Sequence, residues 1–277
     1  MTILEHIWEL SPHQHSYMEQ FLSCCDIKGK DVLELGGAMP KALVIDHLKA
    51  STWTCLQSPD YAAYRTDNQI PSNDADSTTY APVWANAEDF LANQTKQWDY
   101  VFSIAAFEHF LKLPAVTRLI PKVLKPGGRL FSIFAPIWSG PWGHHFTLEV
   151  PTRFRNGQTK RNLSTQDIFN LPWDHLALGP TAFLDKYTIK FDRQFAEEMV
   201  YEVYHSPQIN RLMFEDYHEL FSKTDLKTII LSGIFNAEQS QLPQNYLNQL
   251  AIIKKRFEGT KYSNFHSAGV YVLQERV

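Results

Sequence analysis

The chain has 277 residues, 44% of them hydrophobic and 13% aromatic, which can supply a sizeable core in one large domain or a core domain with an elaboration. Its 26 basic and 30 acidic residues are mixed along the chain and sum to a formal net charge of −4, which gives no electrostatic case for nucleic acid or an anionic membrane as a partner. The three cysteines, Cys24, Cys25 and Cys55, lack metal-type spacing, and an odd count argues against a disulfide framework. No basic segment leads into an apolar run after Met1, and no stretch is long and apolar enough to span a bilayer, so a reducing, cytoplasmic setting is expected.

From Met1 to Ile27 one or two helices are expected, because Leu4, Ile7, Trp8, Met18, Phe21 and Leu22 recur at roughly helical spacing and Ser11-Pro12 makes a break or a helix start. His6, His13 and His15 read as solvated helix-end residues. Asp31 to Leu35 is an apolar run of strand type that ends in Gly36-Gly37, and Ala42 to Leu48 follows with helical spacing. A strand, a tight glycine turn and a helix make the opening unit of a nucleotide-binding α/β fold. Glycine suits the turn because the backbone must bend sharply and lie close to a ligand. Glu34 stands just before it, where a carboxylate can face a cationic or hydroxylated ligand; an ordinary strand-turn-helix explains the same stretch equally well.

Thr52 to Gln57 is a second strand rich in β-formers, closed by Ser58-Pro59-Asp60. Arg65 to Thr79 is polar and reads as a loop. Tyr80 to Ala85 forms a third strand despite Pro82, Glu88 to Asn93 a short helix, and Trp98 to Ile104 a fourth strand. A helix is expected from Phe107 to Leu124, stopped by Lys125-Pro126-Gly127-Gly128, and a fifth strand from Arg129 to Ala135. This alternation predicts a doubly wound, mostly parallel sheet with helices on both faces, whose ligands bind outside the carboxyl ends of the strands.

After Pro136 the pattern changes. Trp138 to His145 is a turn-rich aromatic loop, and Arg153 to Thr165 is polar, with Arg153, Arg155, Lys160 and Arg161 as a small basic run. Tyr187 to Tyr204 reads as a helix ended by Ser206-Pro207, Met213 to Ser222 as another, and Thr228 to Leu231 and Ala268 to Leu273 as two late strands. The segment Pro136 to Ile209 is too long for a simple connection. It is expected to be a cap inserted between strands five and six of a single domain over residues 1–277.

Three stretches in order carry a family resemblance: Asp31-Val32-Leu33-Glu34-Leu35-Gly36-Gly37, then Trp98 to Ser103 followed by Phe107-Glu108-His109, then Leu124-Lys125-Pro126-Gly127-Gly128-Arg129-Leu130. The chain resembles the class I S-adenosylmethionine-dependent methyltransferases over Gly29 to Pro136 and Leu212 to Leu273. The resemblance implies a Rossmann-like seven-stranded sheet and S-adenosylmethionine as cofactor; the charge balance and the lack of a long apolar stretch lead to the expectation of no nucleic acid or membrane partner. It also implies that the ribose is met at Gln57, where the family usually has an acidic residue, and the adenine near Asn86, with Glu88 and Asp89 close behind. His109 resembles a residue that helps to shape the family's cofactor pocket.

The expected cofactor site is therefore built from Glu34, Gly36, Gly37, Gln57, Asn86, Ala87, Glu88, Ile104 and His109. Methyl transfer from a sulfonium is an in-line displacement that needs positioning and no metal. A base is needed when the acceptor is a hydroxyl or a protonated amine. His144 and His145 follow the fifth strand and suit that role, because adjacent residues of an extended loop point opposite ways and one of them, His145 by preference, can reach the acceptor. Paired with Glu149 or His109 they fit no standard metal spacing. Trp138, Trp142, Tyr201, Tyr204, Asn210 and Arg211 are candidates for an enclosed small-molecule acceptor site, with core packing and helix capping as their bland alternatives. The departures at Ala38 and Gln57 keep a second reading in place: a Rossmann-like binding or regulatory module whose nucleotide-type ligand is not a methyl donor.

Overall fold

The computed structural model describes residues 10–59, 78–145, 172–235 and 242–277. The expectations for Leu4, His6, Ile7 and Trp8, for nearly all of the polar loop after Arg65, for Glu149 and for the basic run from Arg153 lie outside the described residues. The chain divides into two compact units, one of Met1–Phe134, Glu219–Ser232 and Tyr271–Val277, the other of Ala135–His218 and Gly233–Val270. The second takes in the segment read as a cap and adds residues on its far side in sequence.

Helix α1 (Pro12–Cys24) starts where Ser11-Pro12 predicts, with a capping box between Ser11 and Gln14. Strands β1 (Asp31–Leu35), β2 (Thr52–Gln57), β3 (Tyr80–Trp84), β4 (Trp98–Ile104), β5 (Leu124–Phe134), β6 (Lys227–Ile234) and β7 (Gly269–Glu275) form one seven-stranded, mostly parallel sheet in the order β3-β2-β1-β4-β5-β7-β6. The pairs β1/β2, β1/β4, β2/β3 and β4/β5 are parallel. The central strands are buried along nearly their whole length, which is why they read as continuous apolar runs. Pro82 is tolerated because β3 lies at the sheet edge.

Four expectations are corrected in detail. The helix after the glycine turn is a π-type segment, Ala42–His47, in which the Leu48 N–H donates to the Leu43 carbonyl. The long helix from Phe107 is instead a 3₁₀ turn, Phe107–His109, and then α3 (Leu113–Val123), because Pro114 favours a first helical turn at that point. Lys125 to Gly128 is no stop between elements but the bulged start of β5: Trp98 pairs with Leu124 and Tyr100 with Arg129, so the intervening residues loop out. Gly127 takes a φ of +75° there, and Lys125 Nζ reaches Asp31 and Asp99 at 2.8 Å each. The long helix from Tyr187 is two helices, α5 (Pro180–Thr188) and α6 (Arg193–Tyr204), since Asp192 caps the second by accepting from the Phe195 N–H at 2.9 Å.

Helix α2 (Ala87–Ala92) lies between β3 and β4, α4 (Asp174–Ala177) precedes α5, and α7 (Phe214–Ser222) precedes β6. Helix α8 (Gln244–Arg256) was not foreseen, although Tyr246, Leu250 and Ile253 repeat at helical spacing and the last two are buried. No helix among the described residues is long and apolar enough to cross a membrane.

The first unit's core is aromatic. The Phe21 ring of α1 lies 4.7 Å from that of Phe102 and 5.0 Å from that of Phe131, while Phe107 packs against Phe134 and Phe221. The second unit holds two clusters. One joins Phe183, Tyr187, Phe195, Met199 and Val203; the other joins Trp173, Leu176, Met213, Leu250, Ile253 and Phe265. Phe21 has no solvent exposure and unites α1 with β4 and β5, so Phe21→Ala is expected to cost about 3–5 kcal/mol in denaturant unfolding. A loss below about 1 kcal/mol would mean that α1 does not hold the sheet.

Candidate functional site

The turn after β1 is organised by a buried carboxylate. Glu34 is 1% exposed, and its Oε2 accepts hydrogen bonds from the Met39 N–H at 2.9 Å and from the Trp53 indole at 2.7 Å. Tyr80 donates to the Met39 carbonyl at 2.9 Å and fastens the same turn from β3. Burial pushes the Glu34 carboxyl up to about 7, against the opposing pull of the hydrogen bonds from Met39, Trp53 and Cys55. The carboxylate thus supports the turn from within.

Both glycines are required by this packing. Gly36 has a φ of +85°, donates to the Leu56 carbonyl, and an added Cβ would come within 2.5 Å of the Ala106 Cβ. A Cβ on Gly37 would collide with Glu34 Oε1. The space beside Gly36 is taken by Ala106, from the turn that follows β4. These two turns follow the strands between which the sheet order reverses direction, the crevice in which open α/β sheets bind ligands.

Gln57 ends β2, and its backbone carbonyl accepts from the Ala85 N–H at 3.0 Å, which joins it to the turn before α2. Its side chain is 8% exposed, and Oε1 is buried with no hydrogen-bond partner among the described residues. An unsatisfied buried acceptor is uncommon enough to need a reason. Asn86 is the N-cap residue of α2, with its carbonyl accepting from Phe90, and Ala87 is the first helical residue. The Glu88 carboxylate is 2.7 Å from Lys112 Nζ, and that bond outweighs burial to hold its pKa below the usual range. Ile104 is buried at the end of β4; His109 closes the 3₁₀ turn, with Nε2 4.0 Å from Glu108.

In the second unit several of the expected acceptor residues come together. The Trp138 ring lies 6.2 Å from that of Tyr204 and 5.6 Å from the Arg211 guanidinium. The Trp142 ring lies 6.0 Å from that of His144. Tyr204 donates to the carbonyls of His175 and Leu178, and Arg211 Nε to that of Val203. Burial lowers the Arg211 pKa. Asn210 Oδ1 accepts from the Tyr217 hydroxyl at 2.6 Å and the Leu212 N–H at 3.1 Å. The loop at His144 and His145 is a series of turns and not extended, so the alternation argument does not apply to it: His145 has a φ of +50° and its Nδ1 is 3.3 Å from the Gly143 carbonyl. His144 is buried, and burial first, then the neighbouring histidines, hold its pKa well below the usual value.

Sequence reasoning passed over His175, whose ring is 4.5 Å from Trp138 and 5.6 Å from His144. It also missed Asp174, a buried carboxylate that accepts from Lys186 at 2.5 Å, Tyr187 at 2.7 Å and Gln249 at 3.2 Å. Neither belongs to a motif; only the apolar neighbours of Trp173-Asp174-His175 hint at burial.

No protein-family model matches the sequence, and no curated protein matches it. Solved structures do. An S-adenosylmethionine-dependent methyltransferase of Mesorhizobium loti matches over 94% of this chain and 97% of its own, at 11% identity and a TM-score of 0.48. A candidate methyltransferase of the same cofactor class from Listeria monocytogenes matches over 96% and 99%, at 10% identity and a TM-score of 0.48. The plantazolicin methyltransferase, solved with S-adenosylhomocysteine and a triazolic desmethylPZN analogue, matches over 88% and 76%, at 12% identity and a TM-score of 0.42. At these identities and scores the likeness assigns no role to any residue of this chain.

The raised pKa of Glu34 has a pH signature. Below about 4.5, its ordinary value, the carboxyl is protonated folded and unfolded; between there and about 7 only the folded chain keeps the proton. Stability from this group therefore falls as the pH rises through that window. Glu34→Gln is expected to remove the slope, read as a wild-type-minus-variant difference in denaturation midpoint from pH 4.5 to 7.5. A difference independent of pH would show that Glu34 ionises normally.

Proposed function

We propose that this chain is an S-adenosylmethionine-dependent methyltransferase acting on a hydroxyl or amine of a small molecule. The observation that carries the reading is Gln57 Oε1, a buried acceptor without a partner among the described residues, at the end of β2, beside the strand whose glycine turn opens the crevice. An orphaned acceptor there fits a ribose hydroxyl, which has a hydrogen to donate. The methyltransferases among the matching structures support the reading without extending it to the acceptor.

Bound S-adenosylmethionine supplies an electrophilic methyl group on a sulfonium. The residues of this chain would do the rest. Gln57 accepts from the ribose, the Glu34-braced turn with Gly36 and Gly37 carries backbone against the ligand, and Asn86, Ala87, Glu88, Ile104 and His109 frame the remaining side. Trp138, Trp142 and Tyr204 supply apolar faces for the acceptor, and Asn210 and Arg211 hold that group in shape through their bonds to Tyr217, Leu212 and Val203. His145, less buried than His144, removes the acceptor proton; His144 is held neutral by burial and supports the loop. The free thiols Cys24, Cys25 and Cys55 support a cytoplasmic setting.

Titration calorimetry with S-adenosylhomocysteine tests the assignment. The wild-type chain is expected to bind it, and Gln57→Ala to bind roughly three- to tenfold more weakly, the size of one hydrogen bond. No binding to the wild type would overturn the methyltransferase reading. Equal affinity of the two proteins would remove Gln57 from the site. Binding without turnover on any hydroxyl or amine acceptor would favour a binding module instead.

A further inference from the structure

His175 is 2% exposed, and its Nε2 lies 2.7 Å from the Trp138 carbonyl. A carbonyl only accepts hydrogen bonds, so Nε2 carries the proton and Nδ1 holds a lone pair. Burial lowers the pKa to about 4, which keeps the ring neutral near pH 7. Nδ1 is itself buried and has no hydrogen-bond partner among the described residues. Tyr204 gives its hydroxyl hydrogen to the backbone carbonyls of His175 and Leu178.

The surroundings are aromatic. The Trp138 ring meets the His175 ring edge to face at 4.5 Å, His144 does so at 5.6 Å, and Trp142 stands beyond His144. Such faces favour a flat apolar partner. A lone pair on a neutral ring repels an anion's oxygens and calls for a polar hydrogen. The cationic groups nearby are bonded within the protein: Arg211 stacks on Trp138 and donates to the Val203 carbonyl, Arg256 donates to the Ala177 carbonyl, and Lys186 pairs with Asp174. A carboxylate or phosphate would have to displace one of these bonds to reach a cation.

We infer that His175 Nδ1 accepts a hydrogen bond from the O–H or N–H of a neutral aromatic ligand packed among Trp138, His144 and Tyr204. On the reading proposed above, to which this identification is tied, that ligand is the methyl acceptor, and His175 chooses phenol-like or azole-like acceptors over carboxylates.

The matched pair phenol and anisole isolates the hydrogen, since anisole keeps the ring and lacks the donor. In the free full-length chain, ¹⁵N NMR of the histidine rings is expected to show His175 protonated at Nε2 alone. Phenol is expected to shift the Nδ1 resonance in a saturable way and to bind at least fivefold more tightly than anisole. His175→Phe is expected to abolish the preference, and His175→Gln, which retains a donor and an acceptor, to restore part of it. A protonated Nδ1 in the free chain, equal binding of the two probes, or no phenol binding would each overturn the inference, and the wild-type spectra decide this even if a variant does not fold. Affinity for S-adenosylhomocysteine is measured on the same samples. Its persistence when phenol fails leaves the methyltransferase reading standing, and its absence sinks that reading whatever phenol does.

Discussion

The burial of one carboxylate governs the first unit's strand-end geometry. Glu34 cannot lie at 1% exposure without donors, and the chain provides them from an adjacent turn and a neighbouring strand: the Met39 amide and the Trp53 indole. Those two bonds set where the turn lies above the sheet. Gly37 must then lack a side chain because Glu34 occupies the space, and Gly36 because Ala106 does. The incomplete glycine pattern is thus a packing solution in its own right. Its glycines answer to neighbours within the protein before they answer to any ligand.

The second unit solves a related problem with different groups. It buries Asp174 among Lys186, Tyr187 and Gln249, which satisfy it fully enough to make that carboxylate structural. One residue later it buries His175, and among the described residues only one of its ring nitrogens finds a partner. The contrast matters: the two side chains share a four-residue helix and an apolar setting, yet one is closed by its partners and the other is left with a lone pair. A fold that can close one buried polar group so completely makes the open one informative. Gln57 offers the same kind of information in the first unit.

Several residues singled out for the acceptor site turn out to hold the second unit together with their polar ends and to offer their apolar faces. Tyr204 gives its hydroxyl to two backbone carbonyls, Arg211 gives its guanidinium to the end of α6 and its plane to Trp138, and Asn210 gives its oxygen to Tyr217. The bland and functional readings of these residues are therefore not exclusive. An aromatic ring anchored through its hydroxyl makes a rigid wall.

Period and punctuation in the sequence determined the elements that depend on local chemistry. β2 and β4 run over the residues that their β-forming composition marks, α1 begins at Ser11-Pro12, and the strand-helix alternation led to the doubly wound sheet. Where the outcome depended on a distant partner, local signals misled. Lys125 to Gly128 looked like a stop, yet Asp31 and Asp99 hold Lys125 and Arg276 receives the Gly127 amide, so the strand begins early. The site shows the same division. Glu34 and Gly36 could be singled out because a strand followed by a glycine turn carries its own pattern, and Gln57 only through the family resemblance. His175 could not, because its tautomer is fixed by a carbonyl 37 residues away and its Nδ1 is buried without a partner among the described residues. A linear pattern records which face of an element is apolar; only tertiary packing decides which buried polar atoms find partners within the chain.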